Sequence, residues 1–472
     1  MSEQVVIEPI SRIEGHGKIS ITLDEAGRVA DARLHVTQYR GFEKFCEGRP
    51  YYEMPSLVER ICGICPVSHS LASAKACDRI LGVQAPEVAL KLRRLLNCGE
   101  FIQSHALSFF HLSAPDLLLG MDSDPAKRNI LGLLEAHPTI ARDGIRLRQM
   151  GQQIIEWFAG KRIHPAWVVP GGVNEPLRQD HQQMMLAMVP EALDIIQRTL
   201  NLFKQSIEKY REEIRTFANF PTHFLGLVNE DGTLEHVQGK LRMIDARGNI
   251  VVDQMDPADY QDLIGEAVEE HSYLKSPYYK PLGYPDGIYR VGPAARLNVC
   301  SGCGTPLADQ EWAEFRSLER GPVLSSFFNH YSRLIEVLYC IETLDRLLRD
   351  PDILSTRTRA FAQPNYREGV GVVEAPRGTL FHHYRVDDYG LITWANMIVA
   401  TGNNNLAMNR GVLQVARRYI DGNKLTDGAI NRIQAVIRAF DPCLSCSTHL
   451  LGGGSAPWIR LLGANGEVLD EA

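Results

Sequence analysis

Arg60-Ile61-Cys62-Gly63-Ile64-Cys65-Pro66-Val67-Ser68-His69 and Asp441-Pro442-Cys443-Leu444-Ser445-Cys446-Ser447-Thr448-His449 are two Cys-x-x-Cys stretches near opposite ends of a 472-residue chain. The first stands immediately before a run with helical spacing and the second immediately after one. A Cys-x-x-Cys turn at a helix end lets both sulfurs face one ion, and helix-terminal amides stabilise thiolate charge. Two such turns make a four-sulfur site. In a structural zinc site the two halves usually lie about 15–20 residues apart, in a domain too small to fold alone. Here almost the whole chain separates them, and a large core does not need zinc to fold, so an iron–sulfur cluster is the stronger competitor. Soft thiolates suit nickel and iron, but spacing alone does not name the metal.

Outward from the first pair, the start of the chain reads as β. Val5–Pro9, Gly17–Asp24 and Val29–Val36 are short branched or alternating runs, the last two joined across Glu25-Ala26-Gly27. From about Tyr51 apolar residues recur three and four apart, predicting helices over Ser68–Leu81, Pro86–Leu112, Ala141–Phe158 and Pro176–Phe217. Between Phe220 and Leu297 Gly, Asp, Tyr and Pro dominate, with turns at Asn229–Gly232 and Ala246–Asn249, which predicts an inserted β-rich segment. Helical spacing returns at Leu307–Leu318 and Ser326–Arg349; a strand-and-loop stretch covers Val370–Thr401; helices resume at Leu406–Tyr419 and Thr426–Phe440. The expected fold class is mainly α with small peripheral β-sheets (α+β), built on a long-helix bundle core. The expected division is an N-terminal β segment over 1–50, a helical core over 51–449 with the β-rich insertion at about 220–297, and a C-terminal extension over 450–472.

With 44% hydrophobic residues the chain buries a large core, as two to three domains or one large one with insertions. The 57 acidic against 50 basic residues, with no long basic block, argue against nucleic acid or anionic membrane as a partner. The N-terminus lacks the pattern of a secretory signal, and no apolar stretch reaches the ~18 residues of a spanning helix. A cytoplasmic protein is expected. Ten cysteines in a chain this long point to reduced thiols and metal binding rather than disulfides.

Four motifs in fixed order carry a resemblance. RICGICPVSH with DPCLSCSTH, together with SRIEGHGK at the N-terminus and EAPRGTLFHHY over Glu374–Tyr384, resembles the signature set of nickel–iron hydrogenase large subunits. RGFEKFCEGRP, SHALSFFHLSAPDLLLGMDSDP, YPDGIYRVGP and ATGNNNLAMN look most like the bidirectional, NAD-linked cytoplasmic branch. The resemblance implies that all four sulfurs bind nickel, Cys62 and Cys443 terminally and Cys65 and Cys446 as bridges to an iron that also carries carbon monoxide and cyanide. It places Arg377 and Thr401 near those diatomic ligands.

Heterolytic cleavage of dihydrogen needs a metal pair and a nearby base, and Cys443 thiolate and Arg377 are the family's candidates. Arginine is a poor base because its pKa exceeds about 12, so the thiolate is the easier assignment. By the same resemblance Glu14 is the first proton-relay carboxylate, and Asp116 and Asp441 are acids around Arg377. His69, four residues after Cys65, can turn back toward that sulfur as a supporting hydrogen-bond donor. Glu43, His449 and a main-chain carbonyl near Met397 match a remote magnesium site, since carboxylate and carbonyl oxygens suit a hard ion. The third pair, Cys300 and Cys303, is assigned no metal, and Cys46, Cys77, Cys98 and Cys340 read as small buried hydrophobes or free thiols.

The implied activity is reversible splitting of dihydrogen into protons and electrons. No iron–sulfur cluster or flavin is expected in this chain, so electrons pass to a small iron–sulfur partner subunit, and from there to a flavin-containing NAD-reducing module. A maturation protease and nickel-insertion proteins are further expected partners, because residues 450–472 resemble an extension removed after His449. The alternatives are a hydrogen-sensing regulatory hydrogenase, a hydrogenase-like subunit of a respiratory NADH dehydrogenase, which lacks the metal cysteines, and a zinc-stapled scaffold.

Overall fold

The computed structural model describes residues 4–420, 425–449, 460–462 and 468–471. Three helices buried nearly all round form its centre: Pro66–Leu81, Glu87–Ala106 and Asn329–Leu348. Proline at the first turn of the first, and Gly82 in the left-handed conformation after its end, set its limits. Helices Glu87–Ala106 and Pro138–Ala159 cross where both are glycine. A Cβ at Gly151 would stand 2.6 Å from the Gly99 carbonyl and 2.5 Å from the Gln103 amide, so only glycine permits this approach.

The sequence expectation of one helix over Pro86–Leu112 meets a difference at its end. The α-helix stops at Ala106, widens into a π turn over Leu107–Ser113 and resumes as Ala114–Leu119. Pro115 removes a backbone donor there, and a wider turn re-registers the ladder. The helix expected over Pro176–Phe217 likewise divides, at Ser206, into Gln179–Ser206, a 3-10 turn and Arg211–Thr216.

The N-terminal strands Gln4–Ile7, Lys18–Leu23 and Val29–His35 form an antiparallel sheet in chain order. The β-rich insertion supplies His223–Val228, Lys240–Ile244 and Ile250–Met255 in one sheet and Ile264–Glu269 with Ser272–Tyr279 in another. The mainly α class holds, but one sheet is not peripheral. Strands Glu368–Ala375, Gly378–Val386 and Ile392–Ile398 are almost wholly buried, and the first two lie against helix Pro66–Leu81. Gly369 and Gly371 allow this, because a Cβ on either would fall 2.2 or 1.9 Å from the carbonyls of Ala76 and Ala72. The hairpin between the first two of these strands is thereby brought to the N-terminal end of that helix, beside Cys65.

Among the described C-terminal residues, Arg460–Leu462 and Val468–Glu471 pair antiparallel. The glycine run Gly452–Gly454 and the residue after the expected cut at His449 lie outside the described residues.

Candidate metal centre

Cys62 follows a 3-10 turn ending at Ile61, and Cys65 precedes the first turn of helix Pro66–Leu81. Cys446 lies in a single helical turn, Leu444–Ser447, just after helix Asp427–Phe440, and Cys443 is the N-cap residue of that turn. Asp441 makes the bend between them in the left-handed conformation, at φ +53°. The C-terminal turn is tied to the N-terminal loop. Glu14 pairs with Cys443 in a parallel bridge, its carbonyl accepts the Leu444 amide at 3.2 Å and its Oε2 accepts the Ser445 amide at 3.1 Å.

The four sulfurs, all buried, lie within 4.8 Å of one another. Sγ–Sγ distances are 3.0 Å for Cys62–Cys65, 3.5 Å for Cys62–Cys443 and 3.8 Å for Cys65–Cys446. The Ile64 and Cys65 amides donate to Cys62 Sγ at 3.2 and 3.1 Å. Burial works against a thiolate at Cys62, but the neighbouring thiols outweigh it and hold this sulfur well below the usual range; burial pushes Cys443 and Cys446 well above it. One sulfur is thus favoured as a thiolate while Cys65, Cys443 and Cys446 keep protons that a soft cation would displace.

Arg377 sits at the tip of the hairpin, buried, and lines one pocket with Cys65, Cys443, Cys446, His69 and Thr401. Its Nη2 donates to Asp441 Oδ1 at 3.2 Å and its Nη1 to Ser104 Oγ at 3.3 Å, while Nε has no partner among the described residues. Burial opposes its charge, yet Asp441 and the sulfurs outweigh burial and raise its pKa further. Ala375, Leu380, Val399 and Ala400 make the rest of the pocket wall apolar. Thr401 Oγ1 accepts the Cys443 amide at 2.9 Å.

The other expected site residues divide. His69 lines the pocket, but its Nδ1 meets His382 Nε2 at 3.1 Å, and burial lowers its pKa to about 4. Asp441 is brought to Arg377; Asp116 is not. It lies instead between Arg12 and Arg438, with Arg128 at 3.6 Å and the Asn431 amide at 3.0 Å, a cluster that ties the N-terminal loop to helix Asp427–Phe440. The reason is local: Asp116 follows the π turn, on the side of the helix that faces the Arg12 loop. Glu43 forms an ion pair with His449 Nδ1. Burial raises the Glu43 carboxyl, but His449 and Lys275 outweigh it and hold it low. The strand carrying Met397 packs on the helix Phe42–Cys46 that carries Glu43. His449 is buried, its amide donating to the Tyr273 carbonyl at 3.0 Å.

Two residues that sequence reading missed hold the first cysteine turn. Glu100 accepts the Val67 amide at 2.8 Å and the Ser68 amide at 3.0 Å, capping from outside a helix whose own N-cap, Cys65, offers no side-chain bond. Gln103, one turn along, donates to the Ile64 carbonyl at 2.5 Å. No local signal set them apart, since the same helix also carries Lys91, Arg93, Arg94 and Asn97. Cys300 and Cys303 are buried apart from the four-sulfur group, and burial raises the first to about 12.

A buried group of four convergent thiols beside a fixed guanidinium defines a soft-metal thiolate centre. Comparison with known proteins names the family. Residues 40–128 and 228–449 match the family described as nickel-dependent hydrogenase, and residues 4–39 match one described as HoxL-like. The beta subunit of the NAD-reducing hydrogenase HoxS of Cupriavidus necator is 43% identical across 100% of this chain and 99% of its own length. A chain of the F420-non-reducing hydrogenase vhu of Methanococcus voltae is 45% identical over 89% of this chain and 100% of its own. A crystal structure of an NAD+-reducing nickel–iron hydrogenase in its H2-reduced state superposes with a TM-score of 0.92 at 47% identity, covering 95% of this chain and 99% of that one. This chain belongs to the nickel–iron hydrogenase large-subunit family.

The residues fit the group that the family implies. The donor set is four soft thiols, the pocket beside Cys65 and Cys446 has an apolar wall, and the Arg377 Nε–H there lacks a partner among the described residues.

Proposed function

We propose that this chain carries the dihydrogen-splitting centre of an NAD-linked hydrogenase. The observation that carries the reading is the convergence of Cys62, Cys65, Cys443 and Cys446 under Arg377 in one buried pocket. Cys62 and Cys443 would hold nickel. Cys65 and Cys446 would hold the metals with them, and both line the pocket together with Cys443. A nickel–iron pair, when bound, supplies the Lewis acidity and electron-accepting capacity that heterolytic splitting of dihydrogen requires.

The chain supplies the rest. The apolar wall of Ala375, Leu380, Val399 and Ala400 suits carbon monoxide on the iron, and Arg377 and Thr401 suit cyanide. Arg377, held charged by Asp441, projects positive charge over the sulfurs and excludes itself as the base. Cys443 Sγ takes the proton. Glu14, bridged to Cys443 through its backbone and bonded to the Ser445 amide through its carboxylate, relays it outward. His69 is oriented by His382 and borders the pocket as a neutral donor. Asp116 acts at one remove, by anchoring the loop that bears Glu14 through Arg12. Glu43, His449 and the Met397 carbonyl would hold magnesium.

Electrons must leave a buried centre, so the reading calls for a small iron–sulfur partner subunit, with a flavin-containing module beyond it that reduces NAD. It also calls for a maturation protease that cuts after His449 and for nickel-insertion proteins, in the cytoplasm. Among the described residues no helix is long and apolar enough to cross a membrane. Hydrogen-dependent NAD reduction by the purified complex tests the reading. Cys443→Ser should abolish it, since a hydroxyl replaces both a soft ligand and the base; turnover near the unsubstituted level would reject the assignment.

A further inference from the structure

We propose that Arg296 is a positioning residue that sets the aim of Arg377, an inference that rests on the role given to Arg377 above. Strands Glu368–Ala375 and Gly378–Val386 pair with Ala375 opposite Gly378, so Pro376 and Arg377 form a two-residue turn. Arg296, in helix Pro293–Val299, is fully buried behind that turn. Its Nη1 donates to the Ala375 carbonyl at 3.0 Å and to Glu374 Oε2 at 2.8 Å. Its Nη2 donates to the Pro376 carbonyl at 3.1 Å and to Glu336 Oε2 at 2.7 Å, and Nε also meets Glu336. One rigid fork therefore holds the carbonyls of the two residues that precede Arg377.

The clamp is itself fixed. Glu374 Oε1 accepts the Leu227 amide at 3.0 Å and the Thr379 hydroxyl at 2.8 Å, and Glu336 Oε2 meets His105 Nε2 at 2.8 Å. Gly292 closes the turn from the other side: its φ is +103°, and a Cβ there would stand 2.9 Å from the Arg377 carbonyl oxygen. By contrast, the side-chain bonds of Arg377, at 3.2 and 3.3 Å, are at the long limit for hydrogen bonds and leave Nε without a partner among the described residues. The direction of its guanidinium is thus set chiefly by where its backbone is held. Lysine in place of Arg296 keeps the charge between Glu336 and Glu374, but its three donors radiate from one atom and cannot span two carbonyls and two carboxylates.

The test uses the purified holoenzyme complex with Arg296→Lys, Arg377→Lys and the double variant. Arg296→Lys should keep its nickel and lose hydrogen turnover on the order of 10–100-fold, as misplacement of a reacting group by about 1 Å does. A crystal structure of that variant should show the Arg377 guanidinium displaced from Ser104 and Asp441. The double variant should be no slower than Arg377→Lys alone, because nothing is left to aim. Undiminished turnover in Arg296→Lys, an unmoved Arg377, or losses that multiply in the double variant overturn the proposal. If Arg296→Lys fails to load nickel, Glu374→Gln replaces it in the same cycle; failure of both to load makes the network purely structural and also overturns it. Failure of the functional reading shows separately, as an unsubstituted complex without hydrogen turnover.

Discussion

Replacing Gly371 by alanine should damage catalysis from a distance, by moving the Arg377 hairpin off the cysteine turn. The added Cβ would stand 1.9 Å from the Ala72 carbonyl oxygen and 2.4 Å from the Ala76 amide, both backbone atoms of helix Pro66–Leu81. Ordinary contact needs about 3.5 Å, so strand and helix must part by roughly 1.5 Å. Neither surface can yield by a rotamer change, because the clash is backbone on one side and a β-carbon on the other. Overpacking of this kind costs about 1–3 kcal/mol. The strand runs from Gly371 into the turn that carries Arg377, and the helix runs from Cys65, so the separation opens where the guanidinium faces the sulfurs. A shift of about 1 Å in a catalytic group costs on the order of 10²-fold in rate. Hydrogen-dependent NAD reduction at matched nickel content reads the catalytic loss, and denaturant unfolding of the metal-free chain reads the stability. Gly321→Ala is the control, since nothing lies within 4 Å of its Cβ. Wild-type rate and stability in Gly371→Ala would show that the sheet does not set the position of Arg377.

Glu14→Gln should leave nickel and iron bound and suppress hydrogen–deuterium exchange, because an amide cannot pass a proton on; unchanged exchange removes Glu14 from the relay. His105→Gln should alter acid sensitivity. Burial holds His105 at about 4 in the fold against 6.5 in the unfolded chain, so between those values the unfolded chain binds the extra proton and the native chain loses stability as pH falls. Glutamine removes that loss, and the stability difference between the two chains should move toward the variant by up to about 3 kcal/mol from pH 7 to 4; parallel curves would refute the assignment. Active, nickel-loaded enzyme should have an intact mass ending at His449, and a mature chain that retains Trp458 would contradict the processing proposal.

Much of this architecture was legible in local pattern. The alternation in Lys18–Leu23 and Val29–His35 marked the first sheet, and the apolar period in Pro138–Ala159 and Asn329–Leu348 marked helices to within a few residues. One feature that escaped is local, and the others are set by distant partners. The π turn at Leu107–Ser113 depends on how the helix meets Pro115, and the central position of strands Glu368–Ala375, Gly378–Val386 and Ile392–Ile398 depends on Gly369 and Gly371 meeting a helix that lies far earlier in the chain. The cysteines were readable because each pair carries its own turn. Glu100, Gln103 and Arg296 were not, since a polar residue that caps a remote helix or clamps a remote turn has the same local pattern as one on a solvated face. The motif match set Asp116 beside Arg377, whereas its placement follows from the π turn and the Arg12 loop.

Infrared spectroscopy of the purified complex, with its metal content, tests the central claim most directly. A nickel–iron centre on Cys62, Cys65, Cys443 and Cys446 predicts stoichiometric nickel and absorption bands of carbon monoxide and cyanide that shift when hydrogen is admitted. Stoichiometric zinc with no such bands would contradict the account.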